Sequence, residues 1–160
     1  MNIVSNTGPI IALAKIGKIH LLEDLFGKVQ IPPMVEREVF IKLSDEVEEL
    51  EKAISSFIEV TARPVIAREI LITIRAIDAG EKEAIALAYN TGSFLIIDDR
   101  QARIAAEKLG LNFTGSIGVL LEAKKKNLID NVKKHLLAIR DNGYYYSDEI
   151  IDVAVKLAGE

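Results

Sequence analysis

Short runs of apolar residues alternate along the chain with longer stretches in which apolar residues recur every three or four positions. The clearest run is 94–97, four apolar residues bounded by turn-forming residues, which is typical of a strand buried on both faces. Four other runs share this character, namely Ile3–Ser5, Val29–Ile31, 57–61 and 112–114. The pattern therefore predicts five short strands.

Helical periodicity accounts for most of the remaining chain. Pro9 is expected to begin the first helix, because proline is well tolerated at the first helical position, and the helical spacing continues until Gly27. Ser44 is expected to cap a later helix. The predicted helices cover 10–16 with a continuation to 26, 34–41, a segment after Ser44, 67–77, 81–89, 101–109, 117–126, 129–140 and Asp148–Leu157.

Strands that alternate with helices predict right-handed crossovers and a parallel sheet, so the expected fold class is α/β. The 160 residues fit a single domain, 1–160. In a parallel sheet of this kind, a ligand site lies at the carboxyl ends of the strands. Chemistry is therefore expected at Asn6, at Asp98 and Asp99, and at 114–116.

Composition narrows the chemistry that such a site can perform. The chain has no cysteine and only two histidines, which excludes disulfides, thiolate nucleophiles and zinc sites built on sulfur or on several imidazoles. The net charge of −4 counts against a simple duplex-DNA binder, which would be basic, but a metal-dependent site remains open because bound cations change the local charge. No targeting signal or run near ~18 apolar residues is present, so no membrane association is expected and the cytoplasm is the expected location.

Five polar residues are candidates for holding a metal ion. Asn6, Asp98 and Asp99 follow strands, Glu38 lies one turn into a helix, and Glu81 lies in the first turn of the helix before the 94–97 strand. A ligand set of oxygen atoms suits Mg²⁺ or Mn²⁺. Such an ion activates water and stabilises the charge that develops on a phosphodiester, which indicates nucleic-acid cleavage.

Each of these acids also has a structural interpretation. Asp98 with Gln101, and Asp78 with Glu81, have the spacing of helix-capping boxes, and Glu38 could be a solvated charge on an acidic helix. Taken singly, each residue is more often a cap or a surface charge than a ligand. Their convergence at one edge of the sheet favours the functional interpretation.

Two further groups of residues bear on nucleic-acid binding. Arg100 and Arg103 flank the acidic pair and are candidates for phosphate contacts. The three tyrosines at 144–146 could stack bases, but they are expected instead to pack the C-terminal helices onto the body or onto a second subunit.

Five segments, in this order along the chain, resemble the PIN-domain family: SNTGPIIAL at 5–13, IPPMVEREV at 31–39, GEKEAIALA at 80–88, LIIDDR at 95–100 and TGSIGVL at 114–120. The resemblance runs from Ile3 to about Lys126, which leaves 129–160 as a C-terminal helical extension. It implies a three-layer, Rossmann-like α/β/α sandwich. It also implies a divalent-metal-dependent endoribonuclease acting on single-stranded or loop RNA, with Mg²⁺ or Mn²⁺, as a homodimer and as a toxin opposed by an antitoxin protein.

The same resemblance assigns roles to individual residues. The family's four acidic positions fall, in order, on Asn6, Glu38, Glu81 and Asp99. Asp98 or Glu83 could substitute for its neighbour, and the hydroxyl-bearing positions near the same edge fall on Thr7 and Ser116. Asn6 departs from the family's pattern, because an amide offers a carbonyl oxygen but no negative charge to a cation.

The pattern supports one alternative function and argues against two others. An inactive PIN-like module that binds RNA or a protein is supported by Asn6. A receiver-like phosphoacceptor fits poorly, because its acidic pair should follow the first strand and a lysine should follow the last. A dinucleotide-binding domain is excluded by the lack of any Gly-x-Gly-x-x-Gly.

Overall fold

A computed structural model of the chain describes residues 1–160, which form five strands and ten α-helices. The strands are β1 (Ile3–Ser5), β2 (Val29–Ile31), β3 (Ile58–Val60), β4 (Phe94–Ile96) and β5 (Phe113–Thr114). The helices are α1 (Thr7–Lys15), α2 (Leu21–Phe26), α3 (Pro33–Lys42), α4 (Val47–Ser56), α5 (Leu71–Ile74), α6 (Ala79–Thr91), α7 (Arg100–Lys108), α8 (Ser116–Lys125), α9 (Val132–Asp141) and α10 (Asp148–Leu157).

The strands form one parallel sheet in the order β3-β2-β1-β4-β5. The central strand β1 is buried along its whole length, and Val4 lies opposite Gln30 on one side and Leu95 on the other. Helices cover both faces, so the predicted three-layer α/β/α sandwich with a parallel sheet is confirmed. Because all five strands are parallel, the residues that follow them meet at one edge.

The predicted continuation of the first helix to Gly27 is wrong. Helix α1 ends at Lys15 because Gly17 adopts a left-handed conformation, with φ of 66°, and the N–H of Lys18 turns back to the carbonyl of Leu13. A separate helix, α2, follows at Leu21. Left-handed backbone suits glycine because it has no Cβ.

Two other predicted boundaries are also corrected. Helix α4 begins after Glu46 rather than at a Ser44 cap. The helix predicted at 67–77 is only a 3₁₀ turn at Arg68–Ile70 followed by α5, because the chain must reach the extended conformation of Asp78 that begins α6. The periodic apolar residues Ile70 and Ile74 are still buried, so the pattern identified the buried face but not the length of the helix.

The C-terminal helices α9 and α10 contribute to the same hydrophobic core as the rest of the chain. Leu136, Ile139 and Ile151 belong to one cluster of 43 buried residues. The last residue, Glu160, accepts hydrogen bonds from the backbone N–H of Val132 at 2.6 Å and from Lys124 Nζ at 2.9 Å, which fixes the end of the chain against the start of α9. None of the ten helices is both long and apolar enough to span a bilayer.

Candidate metal and nucleic-acid site

An open cleft of about 740 Å³ lies at the carboxyl edge of the sheet. The five predicted metal-binding residues, Asn6, Glu38, Glu81, Asp98 and Asp99, all line it. Asn6 follows β1, and the Asp98–Asp99 pair follows the adjacent strand β4. The two glutamates lie on helices, Glu38 on α3 and Glu81 on α6. The structure therefore brings the whole predicted set to one place.

Asn6 lies at the bottom of this cleft, directly after β1. Its backbone N–H donates to the carbonyl oxygen of Ile96 at 2.9 Å, which continues the pairing of β1 with β4. The side chain is only 5% exposed, and its Oδ1 has no hydrogen-bond donor. A buried acceptor without a partner costs on the order of 1–3 kcal/mol, so this atom is unusual in the fold.

Glu38 is held by two donors from different elements. Thr7 Oγ1 donates to its Oε2 at 2.5 Å, and the N–H of Gly80 donates to its Oε1 at 3.1 Å. A Cβ atom at position 80 would lie 2.4 to 2.7 Å from the Glu38 carboxylate. A side chain at position 80 would therefore displace the Glu38 carboxylate from its present position.

Glu81 lies in the first turn of α6 and forms a capping box with Asp78, whose N–H donates to Glu81 Oε2 at 3.1 Å. The pKa of Glu81 is raised to about 7. Burial raises it most, the hydrogen bond from Asp78 lowers it, and the charges of Asp99, Asp78 and Glu38 contribute smaller increases. Neighbouring carboxylates at this edge of the sheet are expected to raise the pKa of at least one of them, and Glu81 has such a raised pKa. Its burial contributes more to the rise than repulsion between the carboxylates does.

The neighbouring aspartates have different partners. Asp98 Oδ1 accepts from the N–H of Ser116 at 2.7 Å, and Asp98 Oδ2 accepts from Tyr144 Oη at 2.6 Å. Asp99 is the N-cap of α7 and accepts from the N–H of Ala102 at 2.9 Å. The capping role considered for Asp98 is therefore wrong, since the residue that caps α7 is Asp99.

The two hydroxyl residues expected near nucleic acid, Thr7 and Ser116, are both buried. Thr7 lines the cleft and serves Glu38. Ser116 is fully buried, and its hydroxyl pairs with that of Tyr146 inside the wall of the cleft. Burial raises the pKa of Tyr146, and Asp98 raises it further, so this phenol stays neutral. In this conformation Ser116 supports the cleft rather than facing a ligand.

Three cationic side chains border the acidic residues. Arg100 and Arg103, both predicted, are exposed at the start of α7, and the Arg103 guanidinium lies 5.3 Å from the centre of the Phe113 ring. The third, Lys42, was not identified from the sequence, although its position four residues after Glu38 places it on the same face of α3. Arginine and lysine side chains are the groups that neutralise phosphates in protein–nucleic-acid complexes.

Glu83, which was considered as a substitute for Glu81, does not line the cleft. It is buried and accepts from the N–H of Met34 at 3.0 Å and from Arg63 Nε at 2.7 Å. Its carboxylate therefore ties the first turn of α3 and the segment after β3 to α6, which is a structural role.

The candidate ligands suit a hard divalent cation, because all of their ligand atoms are oxygens. One of these atoms, Asn6 Oδ1, accepts no hydrogen bond. No three acidic or histidine side chains are grouped closely enough to hold one ion in this conformation. Coordination of one cation by three of these carboxylates therefore requires their side chains to move closer together.

Comparison with known proteins agrees with this architecture. No match is found among curated proteins. A solved structure of a PilT N-terminus domain protein from the hyperthermophilic archaeon Sulfolobus solfataricus P2 is 19% identical, with a TM-score of 0.56 over 77% of this chain and 93% of that chain, which shows a shared fold. The family model described as DUF3368, PIN domain, matches residues 2–160. The chain therefore belongs to the PIN-domain family.

Proposed function

We propose that this chain is a divalent-metal-dependent endoribonuclease that uses Mg²⁺ or Mn²⁺. The PIN-domain family generally comprises metal-dependent nucleases. The observation that carries the proposal is the buried, unpartnered Oδ1 of Asn6 in a cleft that three carboxylate-bearing elements also line. A cation there would satisfy that oxygen and would favour the ionised form of Glu81, whose pKa is raised mainly by burial and to a smaller extent by neighbouring carboxylates.

The residues divide into two groups around this cleft. The proposed metal ligands are Asn6, Glu38, Glu81, Asp98 and Asp99. Three of these ligands, Glu38, Glu81 and Asp99, are also the proposed catalytic carboxylates. Arg100 and Arg103 hold the RNA phosphates, while Thr7 and Ser116 contribute to this interface by fixing Glu38 and the cleft wall. When bound, the cation supplies the positive charge that activates water and neutralises the phosphodiester.

Cleavage of a panel of unstructured and hairpin RNAs with Mn²⁺, with Mg²⁺ and with EDTA tests this proposal. Asp99→Asn is the matched control, because asparagine also caps helices well and leaves α7 intact while removing the charge. We expect metal-dependent cleavage by the wild-type chain and its loss in Asp99→Asn. Cleavage that persists in EDTA and in Asp99→Asn would contradict the assignment.

A second candidate function is an inactive PIN-like module that binds RNA or a protein partner. It is supported by the amide at Asn6 and by the lack of three grouped acids. Under this alternative, the RNA panel binds in gel-shift assays but stays intact with either metal. The cleavage assay therefore separates the two functions.

The proposed biological setting is that of a toxin paired with an antitoxin protein, acting as a homodimer. This rests on the family resemblance and on the apolar side chains that α10 exposes, Ile150, Val153 and Leu157. Growth arrest on induced expression, absent in Asp99→Asn and relieved by the product of an adjacent small open reading frame, tests the toxin role. Induction that leaves growth unaffected would count against it.

A further inference from the structure

The segment between α9 and α10 contributes three consecutive tyrosines to one wall of the cleft. Tyr144 and Tyr146 point inward, where their hydroxyls pair with Asp98 and Ser116. Their rings lie 5.4 Å apart between centroids at 59° to each other. Tyr145 lines the same cleft but is 81% exposed.

The alternation of buried and exposed rings follows from the backbone. Residues 144–147 are not helical, and Ser147 at their end is extended, with φ of −70° and ψ of 154°, a conformation in which consecutive side chains point to opposite sides. Anchoring Tyr144 and Tyr146 inward therefore presents Tyr145 outward, toward solvent at the rim. The hydrogen bonds of Tyr144 and Tyr146 fix the backbone on either side of Tyr145, so the Tyr145 ring extends from a backbone that is held in place.

Packing gives no reason for an aromatic ring at position 145. A single exposed apolar side chain is ordinary on a protein surface and needs no explanation by itself. Tyr145 differs because it shares its cleft with the acidic residues and with Arg100 and Arg103. An aromatic face beside phosphate-binding cations is the combination that single-stranded nucleic acid requires.

We propose that Tyr145 is a base-stacking residue that holds an unpaired base of a single-stranded nucleic acid next to the phosphate in the cleft. The inference rests on the proposed nuclease function and assigns the recognition of single strands to one residue. A base in a duplex is already stacked on both faces and cannot lie on this ring without leaving its pair. Tyr145 therefore selects single strands over duplexes, whereas the arginines contact both.

The chain contains no tryptophan, so Tyr145→Trp introduces a single fluorescent reporter that can also stack. It is combined with Asp99→Asn to prevent cleavage and is titrated with a single-stranded RNA oligonucleotide and with its duplex in Mn²⁺. We expect saturable quenching by the single strand and much weaker quenching by the duplex. Val65→Trp, in the same background, is the control because Val65 is 79% exposed and lies outside the cleft. Equal quenching at both positions, or none at Tyr145→Trp, would overturn the proposal.

Affinity measurements provide a second test that does not depend on the reporter. In the Asp99→Asn background, Tyr145→Ala should weaken single-strand binding by about 5- to 100-fold, the range typical of lost base stacking. Tyr145→Phe should retain affinity because it keeps the aromatic face. An equal loss in Tyr145→Ala for duplex and single strand would contradict the stacking role. Quenching of Tyr145→Trp/Asp99→Asn by the single strand, together with no cleavage of that strand by the wild-type chain in Mn²⁺ or Mg²⁺, would instead refute the nuclease proposal alone.

Discussion

Tyr144 donates a hydrogen bond of 2.6 Å to Oδ2 of Asp98, a residue that lies 46 positions earlier in the chain. The contact joins the C-terminal helices to the carboxyl end of the sheet. It is made possible by Gly8, because a Cβ there would lie 2.7 Å from the tyrosine oxygen. The segment between α9 and α10 is therefore part of the cleft, although the proposed PIN-like motifs end near Lys126.

Tyr144→Phe should destabilise the fold by about 1–2 kcal/mol, because a charge-assisted hydrogen bond is lost while Asp98 stays partly buried. Urea unfolding followed by circular dichroism measures the change. Tyr145→Phe is the matched control, since it removes the same hydroxyl from a ring that is 81% exposed and should change stability by less than about 0.5 kcal/mol. Equal losses in both variants would show that the Asp98 contact contributes no stability.

The sheet could be predicted because its strands are continuous apolar runs that a doubly buried parallel strand requires. The run 94–97 contains β4, and the alternation with helices predicted that the strands are parallel. The division between α1 and α2 was missed because the apolar spacing continues across Gly17, and only the left-handed conformation of that residue breaks the helix. Hydrophobic periodicity predicts which face of a helix is buried, but it does not predict where the helix ends.

The position of the candidate site could be predicted from the sequence, but the hydrogen-bond partners of its residues could not. Strand ends identified Asn6 and Asp99, whereas the partners of each carboxylate depend on contacts between distant segments. Gly80 donating to Glu38, 42 residues apart, is such a contact. The role of Lys42 was overlooked for the same reason, because a lysine at a helix end is ordinary until the cleft beside it is known.

Gly80→Ala should destabilise the wild-type chain by about 1–3 kcal/mol, because the new methyl group overlaps the Glu38 carboxylate. The same substitution in a Glu38→Ala background should be neutral or stabilising by up to about 1 kcal/mol, since alanine is the better helix former. Thermal unfolding of the four proteins completes the double-mutant cycle. If Gly80→Ala has the same effect in both backgrounds, the close approach of α6 to Glu38 is not what requires glycine.

The raised pKa of Glu81 predicts a specific pH dependence of stability. Its pKa is about 7 in the folded chain against 4.5 for the free group, so between these values the folded state binds more protons than the unfolded state. The free energy of unfolding should therefore fall as pH rises from about 4.5 to 7, by on the order of 1 kcal/mol once solvent screening is included.

Glu81→Gln should abolish this decline while keeping the capping box, which accepts glutamine at the same position. Because the ionised carboxylate is the proposed ligand, stabilisation of the wild-type chain by millimolar Mn²⁺ should grow as pH rises through 7. Melting temperatures at pH 5, 6, 7 and 8, with and without Mn²⁺, measure both effects. No thermal shift with Mn²⁺ at pH 8 would count against a metal site.

The exposed apolar residues of helix α10 predict that the chain self-associates. Ile150, Val153 and Leu157 are 49%, 58% and 70% exposed and form an apolar stripe, whereas Leu136 and Ile139 of α9, expected on the same surface, are buried in the core. Antiparallel pairing of two α10 helices would bury this stripe. Light scattering at high micromolar concentration should give a dimer, and Val153→Lys a monomer. A wild-type monomer would exclude the pairing.

Asn6→Asp tests whether the amide after β1 occupies a metal position. The substitution restores a carboxylate with almost no change in shape, so electrostatic attraction alone should tighten Mg²⁺ and Mn²⁺ binding, and RNA cleavage should increase. The metal-free protein should become less stable, because one more anion joins Glu38, Glu81 and Asp99. Asn6→Asp/Asp99→Asn keeps the total charge of the cleft at its original value and should lose the added cleavage.

The three readouts of Asn6→Asp separate the competing explanations. Calorimetric Mn²⁺ titration gives affinity, urea unfolding in EDTA gives the stability of the metal-free form, and a labelled RNA gives cleavage. Unchanged metal affinity would mean that position 6 is not a ligand, despite the buried Oδ1 of Asn6. Tighter metal binding without cleavage would mean that restoring one charge is insufficient, and the RNA- or protein-binding module would then replace the nuclease. Only a combined gain in affinity and cleavage, with reduced metal-free stability, fits a nuclease weakened by its amide.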